Sequence, residues 1–339
     1  MADGTTHTLG FVGDVMLGRL VDDRFSGPGG PAPAAIWGDV GDRLRELDGL
    51  VINLECCLST RGKRWTRTRR PFHFRADPGW AIPALQAADV DVATLANNHV
   101  LDFRSPALRD TLSHLQAAAI ETTGAGPTVD EALEPAIVSL GDDRRLGVVG
   151  FTDNTPEYAA DETTPGTAHI EIDVDDDRTR ERVRTALDRV ADRGADLVVA
   201  SLHWGPNMVE SPPQAHREFA RWLIDRGVDV IHGHSAHIFQ GVEIYNGRPI
   251  LYDTGDFVDD YRIDPDLRND RSFLFELTVG SKSPPDPVAL RLTPVEIEDR
   301  RVQFADGPAA RWARDRMTSL ASTFGTEFEE VGPALVYRF

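Results

Sequence analysis

Short apolar runs alternate with helical segments through the first two thirds of this chain, and polar residues that can ligate metal stand just past most of the runs. The runs cover residues 9–15, 50–54, 90–95, 197–201 and 228–231. Each is too short for a stable helix and rich in valine, leucine or isoleucine, so each reads as a strand. Helical segments at 34–47, 80–88, 105–118, 177–193 and 214–226 separate them. In 177–193, Val183, Leu187 and Val190 recur at helical spacing, so one face packs and the other is wet. In 214–226, Phe219, Leu223 and Ile224 are available to face a core. Ser105 with Pro106 behind it starts the 105–118 helix. Strand–helix alternation of this kind predicts an α/β fold with a parallel or mixed sheet.

The later chain reads as antiparallel additions. Runs 137–140 and 146–150 flank the turn GDDRR, and 242–245 and 249–252 flank Asn246-Gly247, a strong hairpin signal. Runs 271–279 and 288–297 are split by SKSPPDP, and 309–324 is a helix expected over the outside of the core. No repeat or linker divides the chain. We expect one domain over 1–300, with 301–339 a helical extension packed on it. The loops at 22–33, 59–78 and 153–168 are placed to rim a cleft.

The polar residues that follow the strands are Asp14, Glu55, Asn98 with His99, His203, His234 and His237. Strand ends on one edge of an α/β sheet converge on one crevice. Carboxylate, amide and imidazole without thiolate suit Mn, Zn, Fe or Ni, and the oxygens also accept Mg or Ca. One or two divalent ions are expected. Asp102, three residues after His99, can orient an imidazole, and Asp256 in TGDF follows another strand toward the same cleft; with His99 they are the candidate catalytic, acid–base residues. His232 lies inside its run and is expected to face away or to stand behind the ligands. Met16 reads as core filler. Arg64, Arg67, Arg69, Arg70 and His73 form a basic island. Folded over the site, it would bind a carboxylate- or phosphate-rich substrate; as a solvated patch, it would bridge to the acidic surface.

Composition narrows the partners. The net charge of -19 over 339 residues repels a phosphate backbone, which argues against nucleic acid. Lys63 and Lys282 are the two lysines, and aspartate outnumbers glutamate. This suits a protein adapted to high salt, and a GC-rich genome with an acidic surface is the plainer alternative. No apolar run approaches the ~20 residues of a membrane span. The first 18 residues show no basic stretch and no sustained apolar core, so a cytoplasmic protein is expected. The two cysteines, Cys56 and Cys57, are adjacent, which excludes a disulfide framework and disfavours a thiolate zinc site.

The stretches GDVMLGR, INLE, LANNHVLDF, HWG and GHSAHIFQGVEIYNGRPILYDTGDF resemble, in order, the motifs of the CapA family, named after poly-gamma-glutamate capsule synthesis. The resemblance covers roughly residues 8–260. It implies the calcineurin-like metallophosphoesterase fold, a four-layer α/β/β/α sandwich with mixed sheets and a metal centre at strand ends. Under it, Asp14 matches the first metal aspartate, and Glu55 occupies the usual place of the bridging aspartate. Asn98 matches the amide ligand, and His99 the acid or substrate-orienting imidazole. His203 matches the lone-histidine ligand, and His234 with His237 the terminal histidine pair. One departure is Met16, where Asp-x-His is usual; a thioether is a poor ligand for a hard ion. The resemblance implies a metal-dependent hydrolase of a phosphoester or of an anionic polymer or peptide. It also leaves open a role in poly-gamma-glutamate capsule synthesis, peptide epimerisation, and a polymer-binding module without catalysis.

Overall fold

The computed structural model describes residues 6–141, 144–280 and 285–339. The centre of the GDDRR turn, the 281–284 part of SKSPPDP and the first five residues lie outside the described residues.

The strand-forming runs build two large sheets. In the ten-stranded sheet, His7–Val15, Gly49–Leu54, Val92–Thr94 and Glu121–Thr123 lie side by side and parallel. Antiparallel strands extend it from the other edge of His7–Val15: Arg271–Val279, Pro287–Glu298, Ala334–Arg338 and Glu329–Val331. Asp256–Val258 also pairs with His7–Val15, and Arg301–Phe304 with Pro287–Glu298. The six-stranded sheet has Arg144–Thr152, Leu197–His203, Val230–His234 and Arg248–Leu251 parallel. Ala136–Leu140 and Val242–Tyr245 add to it as hairpin partners. The hairpins Ala136–Leu140 with Arg144–Thr152 and Val242–Tyr245 with Arg248–Leu251 pair antiparallel across short turns, and helices connect the parallel neighbours Gly49–Leu54 with Val92–Thr94 and Arg144–Thr152 with Leu197–His203. Asn246 and Gly247 both take positive φ (49° and 73°), as a type I′ turn requires.

Side-chain alternation along the strands makes the layers. Leu9, Phe11, Val51 and Val92 of the large sheet share a buried cluster with Val148, Val199, Val230 and Val242 of the small one. Their neighbours Val12, Leu50, Ile52 and Ala93 face outward, under Trp80, Ala84, Leu85, Leu108 and Leu115 of the covering helices. On the far side, Val149, Ala200 and Ile231 pack against Val183, Val190, Phe219 and Leu223. Helix, sheet, sheet, helix is therefore the order of layers, the α/β/β/α sandwich of the calcineurin-like fold.

Several elements differ from expectation. Residues 34–47 form a 3-10 turn, Pro33–Trp37, and a short helix, Gly41–Leu44. Gly38 breaks them: its φ is +47°, and a Cβ there would lie 2.3 Å from the Val302 carbonyl oxygen. The expected 105–118 helix is Arg104–Ala117, with Phe103 and not Ser105 at its cap. Pro106 falls on its third position, still among the N–H groups a helix leaves unpaired. Residues 301–339 supply three strands of the large sheet besides the helix Gly307–Ser322. That helix covers the core with one face: Ala313, Met317 and Ala321 belong to the inter-sheet cluster, while Arg311, Asp315, Thr318 and Ser319 are exposed. Alanines at 313 and 321 let its backbone approach closely. The strands Leu197–His203 and Val230–His234 run past their expected ends and carry both histidines within the ladder.

Candidate metal centre

Strand register gathers the site. Asp14 stands opposite Asn53 on one side and Asp256 on the other, and His203 stands opposite His234 in the facing sheet. The strand bearing Asp256 comes close because residue 13 is glycine: a Cβ there would lie 1.8 Å from the Gly255 oxygen. Asp14 N donates to that same oxygen at 2.9 Å. Ser235 and His237 hold positive φ (111° and 61°), a cost for non-glycine residues that clusters at functional sites.

Two Asp/His groups share Asp14: Asp14, His203 and His234, and Asp14, His237 and Asp256. His203 Nδ1 and His234 Nδ1 lie 3.9 and 3.7 Å from Asp14 Oδ1. His237 Nδ1 lies 3.3 Å from Asp14 Oδ2 and 2.9 Å from Asp256 Oδ1. Asp256, expected among the acid–base residues, thus stands in a ligand-type cluster. Glu55 Oε1 is 3.7 Å from His99 Nε2 and 3.9 Å from His203 Nε2. Met16 is fully buried, and its sulfur accepts from Gly18 N at 3.1 Å. His232 joins neither group; its Nε2 is 2.8 Å from the Val12 oxygen.

The chemistry of these atoms fits a cation. Asp14 Oδ2, Glu55 Oε1, Asn98 Oδ1, His203 Nε2 and Asp256 Oδ2 are all buried without a hydrogen-bond partner. Native interiors seldom leave buried polar atoms unpaired, and five such atoms in one crevice call for a missing partner. The electrostatics agree. Burial, and then the charge of Asp14, push the Glu55 carboxyl well above its ordinary range. Burial also raises Asp256. Burial would raise Asp14 too, but the His237, His203 and His234 imidazoles outweigh it and hold it low. Burial brings His203 down to about 4, and it pushes His234 well below its usual value. Burial would lower His237, but the Asp256, Asp14 and Glu55 carboxylates outweigh it and raise it well above its usual value. His203 and His234 are thus neutral, as ligands must be, and a divalent cation would displace the protons held by His237, Glu55 and Asp256. The two groups can coordinate such an ion, and oxygen with imidazole nitrogen admits Mn, Zn, Fe, Mg or Ca.

Beside the clusters sits a histidine held by a carboxylate. His99 Nδ1 is 2.5 Å from Asp102 Oδ2, and Asp102 also accepts from Phe74 N (2.7 Å) and Tyr158 OH (3.0 Å). Arg70 Nε is 3.5 Å from the same carboxylate. This pins the His99 ring with Nε2 toward Glu55. Burial keeps His99 below its ordinary pKa, with Asp102 opposing.

A cleft of about 840 Å³ opens over Asn98, His99 and His237. Of the basic island, Arg70 lines it, and Arg64, Arg67, Arg69 and His73 do not. Arg64, Arg67 and Arg69 are exposed, Arg67 lies over the Trp65 ring, and His73 Nε2 meets the Trp65 oxygen at 3.0 Å. Arg70 reaches inward to Thr155 Oγ1 (2.9 Å) and the Asn98 carbonyl. Arg19 and Arg262 line the cleft as well.

Sequence reasoning missed Asn53, whose Nδ2 donates to Asp14 Oδ1 at 2.6 Å and lies 3.3 Å from His203 Nδ1. Its place in INLE, two residues before Glu55, was the available signal. It also missed Tyr261, whose OH is 3.4 Å from Glu55 Oε2, and Tyr158.

A two-sheet sandwich with Asp/His clusters at its strand ends defines a protein of the calcineurin-like metallophosphoesterase superfamily. The family profile of the bacterial capsule synthesis protein PGA_cap matches residues 8–261. A probable polyglutamine synthesis accessory protein of Mycobacterium tuberculosis is 33% identical over 367 residues, spanning 95% of this chain and 93% of its own. The PGA biosynthesis protein CapA of Bacillus subtilis is 28% identical over 251 residues, 74% of this chain and 62% of its own. The capsule biosynthesis protein CapA of Bacillus anthracis is 28% identical over 255 residues, with 75% and 60% covered. The chain belongs to the CapA (PGA_cap) family. Among the described residues, no helix is long and apolar enough to cross a membrane.

Proposed function

We propose that this chain is a metal-dependent hydrolase acting on a phosphoester or on an anionic polymer or peptide. The observation that carries the reading is the set of five unpaired buried ligand atoms around Asp14, opening onto a cleft lined by arginines. Asp14, His203, His234, His237 and Asp256 would hold the cation, with Glu55 and Asn98 completing its surroundings. The ion would supply a lowered water pKa and polarisation of a substrate oxygen. His99, held by Asp102, would deliver a proton to the leaving group. Arg70, anchored on Thr155 and Asn98, would meet substrate charge. Arg64, Arg67, Arg69 and His73 would act only on parts of the substrate beyond the cleft.

The test is elemental analysis of the purified protein with a turnover screen over phosphomonoesters, phosphodiesters and poly-gamma-glutamate, before and after metal reloading. Asn98→Ala and His234→Ala should remove metal-dependent turnover while the chain stays folded. Full activity in both variants would refute the assignment. The names of the relatives favour a second reading, a role in making poly-gamma-glutamate or another capsule polymer. Binding of poly-gamma-glutamate without turnover of any ester would favour it. Solvent deuterium entering a peptide without hydrolysis would favour epimerisation. The cytoplasmic and high-salt readings rest on sequence, and cell fractionation and a salt-dependent melting curve test them.

A further inference from the structure

One wall of the cleft is a run of near-parallel rings. Phe72 lies 6.4 Å from Phe74 with planes 22° apart, and Phe74 lies 3.8 Å from His99 with planes 25° apart. The run leads from solvent down to the imidazole next to the metal clusters. Tyr261 adds a second surface, 5.9 Å from Phe74 and 5.0 Å from His237. Two residues on, Ile263 lines the same cleft. Phe72 is 54% exposed and Ile263 49%, two of five large apolar side chains that stand exposed among the described residues. Apolar surface left open at a cleft mouth and rimmed by polar groups marks a binding site.

Charge lies beside these rings. The Arg19 guanidinium sits over both Phe72 (5.2 Å) and Phe74 (5.6 Å), with its Nε 3.3 Å from Asp260. Arg70 and Arg262 line the cleft too. At about 840 Å³ the cleft has room for a ligand far larger than one phosphate or one carboxylate. A bare anion at the floor would leave Phe72 and Ile263 wet, and so would a polymer carrying only carboxylates.

Resting on the reading of this cleft as the substrate site, we infer that the substrate joins its anionic group to a bulky apolar, preferably aromatic, group that is seated against Phe72 and Ile263. The anionic group, phosphoryl or carboxylate, reaches the floor between His99, Asn98 and His237. The arginines at the mouth balance its charge, and the rings supply selectivity through buried apolar area. Covering a few tens of Å² of that area corresponds to about tenfold in affinity.

Calorimetric titration of the full chain with four probes tests this, with and without manganese. The probes are methylphosphonate, benzylphosphonate, acetate and phenylacetate, none of which is an ester. The expected result is about tenfold tighter binding of the aromatic member of at least one pair. Phe72→Ala and Ile263→Ser should erase that preference and leave the small member unchanged. The pair that shows the preference identifies the anionic group. Both side chains are exposed, so the variants should keep the parent's unfolding midpoint. Equal affinity within both pairs overturns the inference. So does a preference that survives both substitutions, or no binding of any probe at about 10 mM, where even an affinity weaker than the millimolar range would register. Failure of the hydrolase reading shows separately, as absence of bound metal and of turnover, and leaves the aromatic preference standing.

Discussion

Replacing Asp102 with asparagine (Asp102→Asn) is the perturbation whose size the structure sets most directly. The Asp102 carboxylate is fully buried and meets His99 Nδ1, Phe74 N and Tyr158 OH, with Arg70 Nε nearby. An amide is nearly the same shape but offers one acceptor oxygen. That oxygen must stay with Phe74 N and His99, because a backbone N–H cannot turn away. The new NH₂ then faces Tyr158, whose hydroxyl can rotate and accept. Geometry survives, and what is lost is the charge. Two or three charge-assisted bonds become neutral ones, at about 1 kcal/mol each, and Arg70 loses a buried counter-charge. The expected cost is about 3 kcal/mol of stability, read by urea unfolding. Tyr158→Phe alone should cost about 1 kcal/mol, and less when combined with Asp102→Asn, since the two substitutions remove one shared interaction. Metal content should not change, because Asp102 is in neither cluster. Turnover should fall by about 10²–10⁴-fold, the range of a mispositioned general acid. A variant within about 0.5 kcal/mol of the parent would refute the reasoning, because surface substitutions cost no more than that.

Asp14→Asn should abolish metal retention after dialysis. His203→Ala and His237→Ala should each weaken it in part, since Asp14 belongs to both clusters; equal losses in all three variants, by elemental analysis, would argue against a shared carboxylate. His232 should contribute its own share of acid sensitivity to the metal-free protein. Burial lowers His232 to about 4, so below its unfolded pKa of about 6.5 the unfolded chain binds a proton that the folded chain refuses. Stability present above about pH 6.5 is then lost toward pH 4, at about 1.4 kcal/mol per unit for this histidine, and His232→Asn should remove that share of the slope. Gly13→Ala would press a methyl group to 1.8 Å from the Gly255 oxygen, and should cost about 3 kcal/mol or more in denaturant unfolding.

The sequence signalled those parts of the site that depend on strand ends. Asp14, His203 and His234 were found because short apolar runs fix a strand, and a parallel ladder carries all its C-terminal ends to one edge. Asn53 escaped because it reads as one more strand residue until register sets it abreast of Asp14. Tyr158 and Tyr261 escaped because loops deliver them across more than fifty and two hundred residues to Asp102 and Glu55. The basic island was visible as composition, but composition does not say which arginine turns inward. Arg70 does so because Thr155, Asn98 and the Tyr158 ring receive it. The failed helix at 34–47 has a similar cause: the Val302 carbonyl that occupies the space beside Gly38 comes from the far end of the chain.

The strand that carries Asp14 is flanked on its second side by Asp256–Val258 and Arg271–Val279. During synthesis that side has no neighbour until more than two hundred further residues have been made. At ribosomal rates of about 5–20 residues per second the delay is roughly 10–50 s. For that interval the nascent protein presents an open, largely apolar strand edge, a template for wrong pairing. The half of the metal centre that uses Asp256 is therefore a late product of folding, whereas Asp14, His203 and His234 are all present before the strand that carries Asp256 is made.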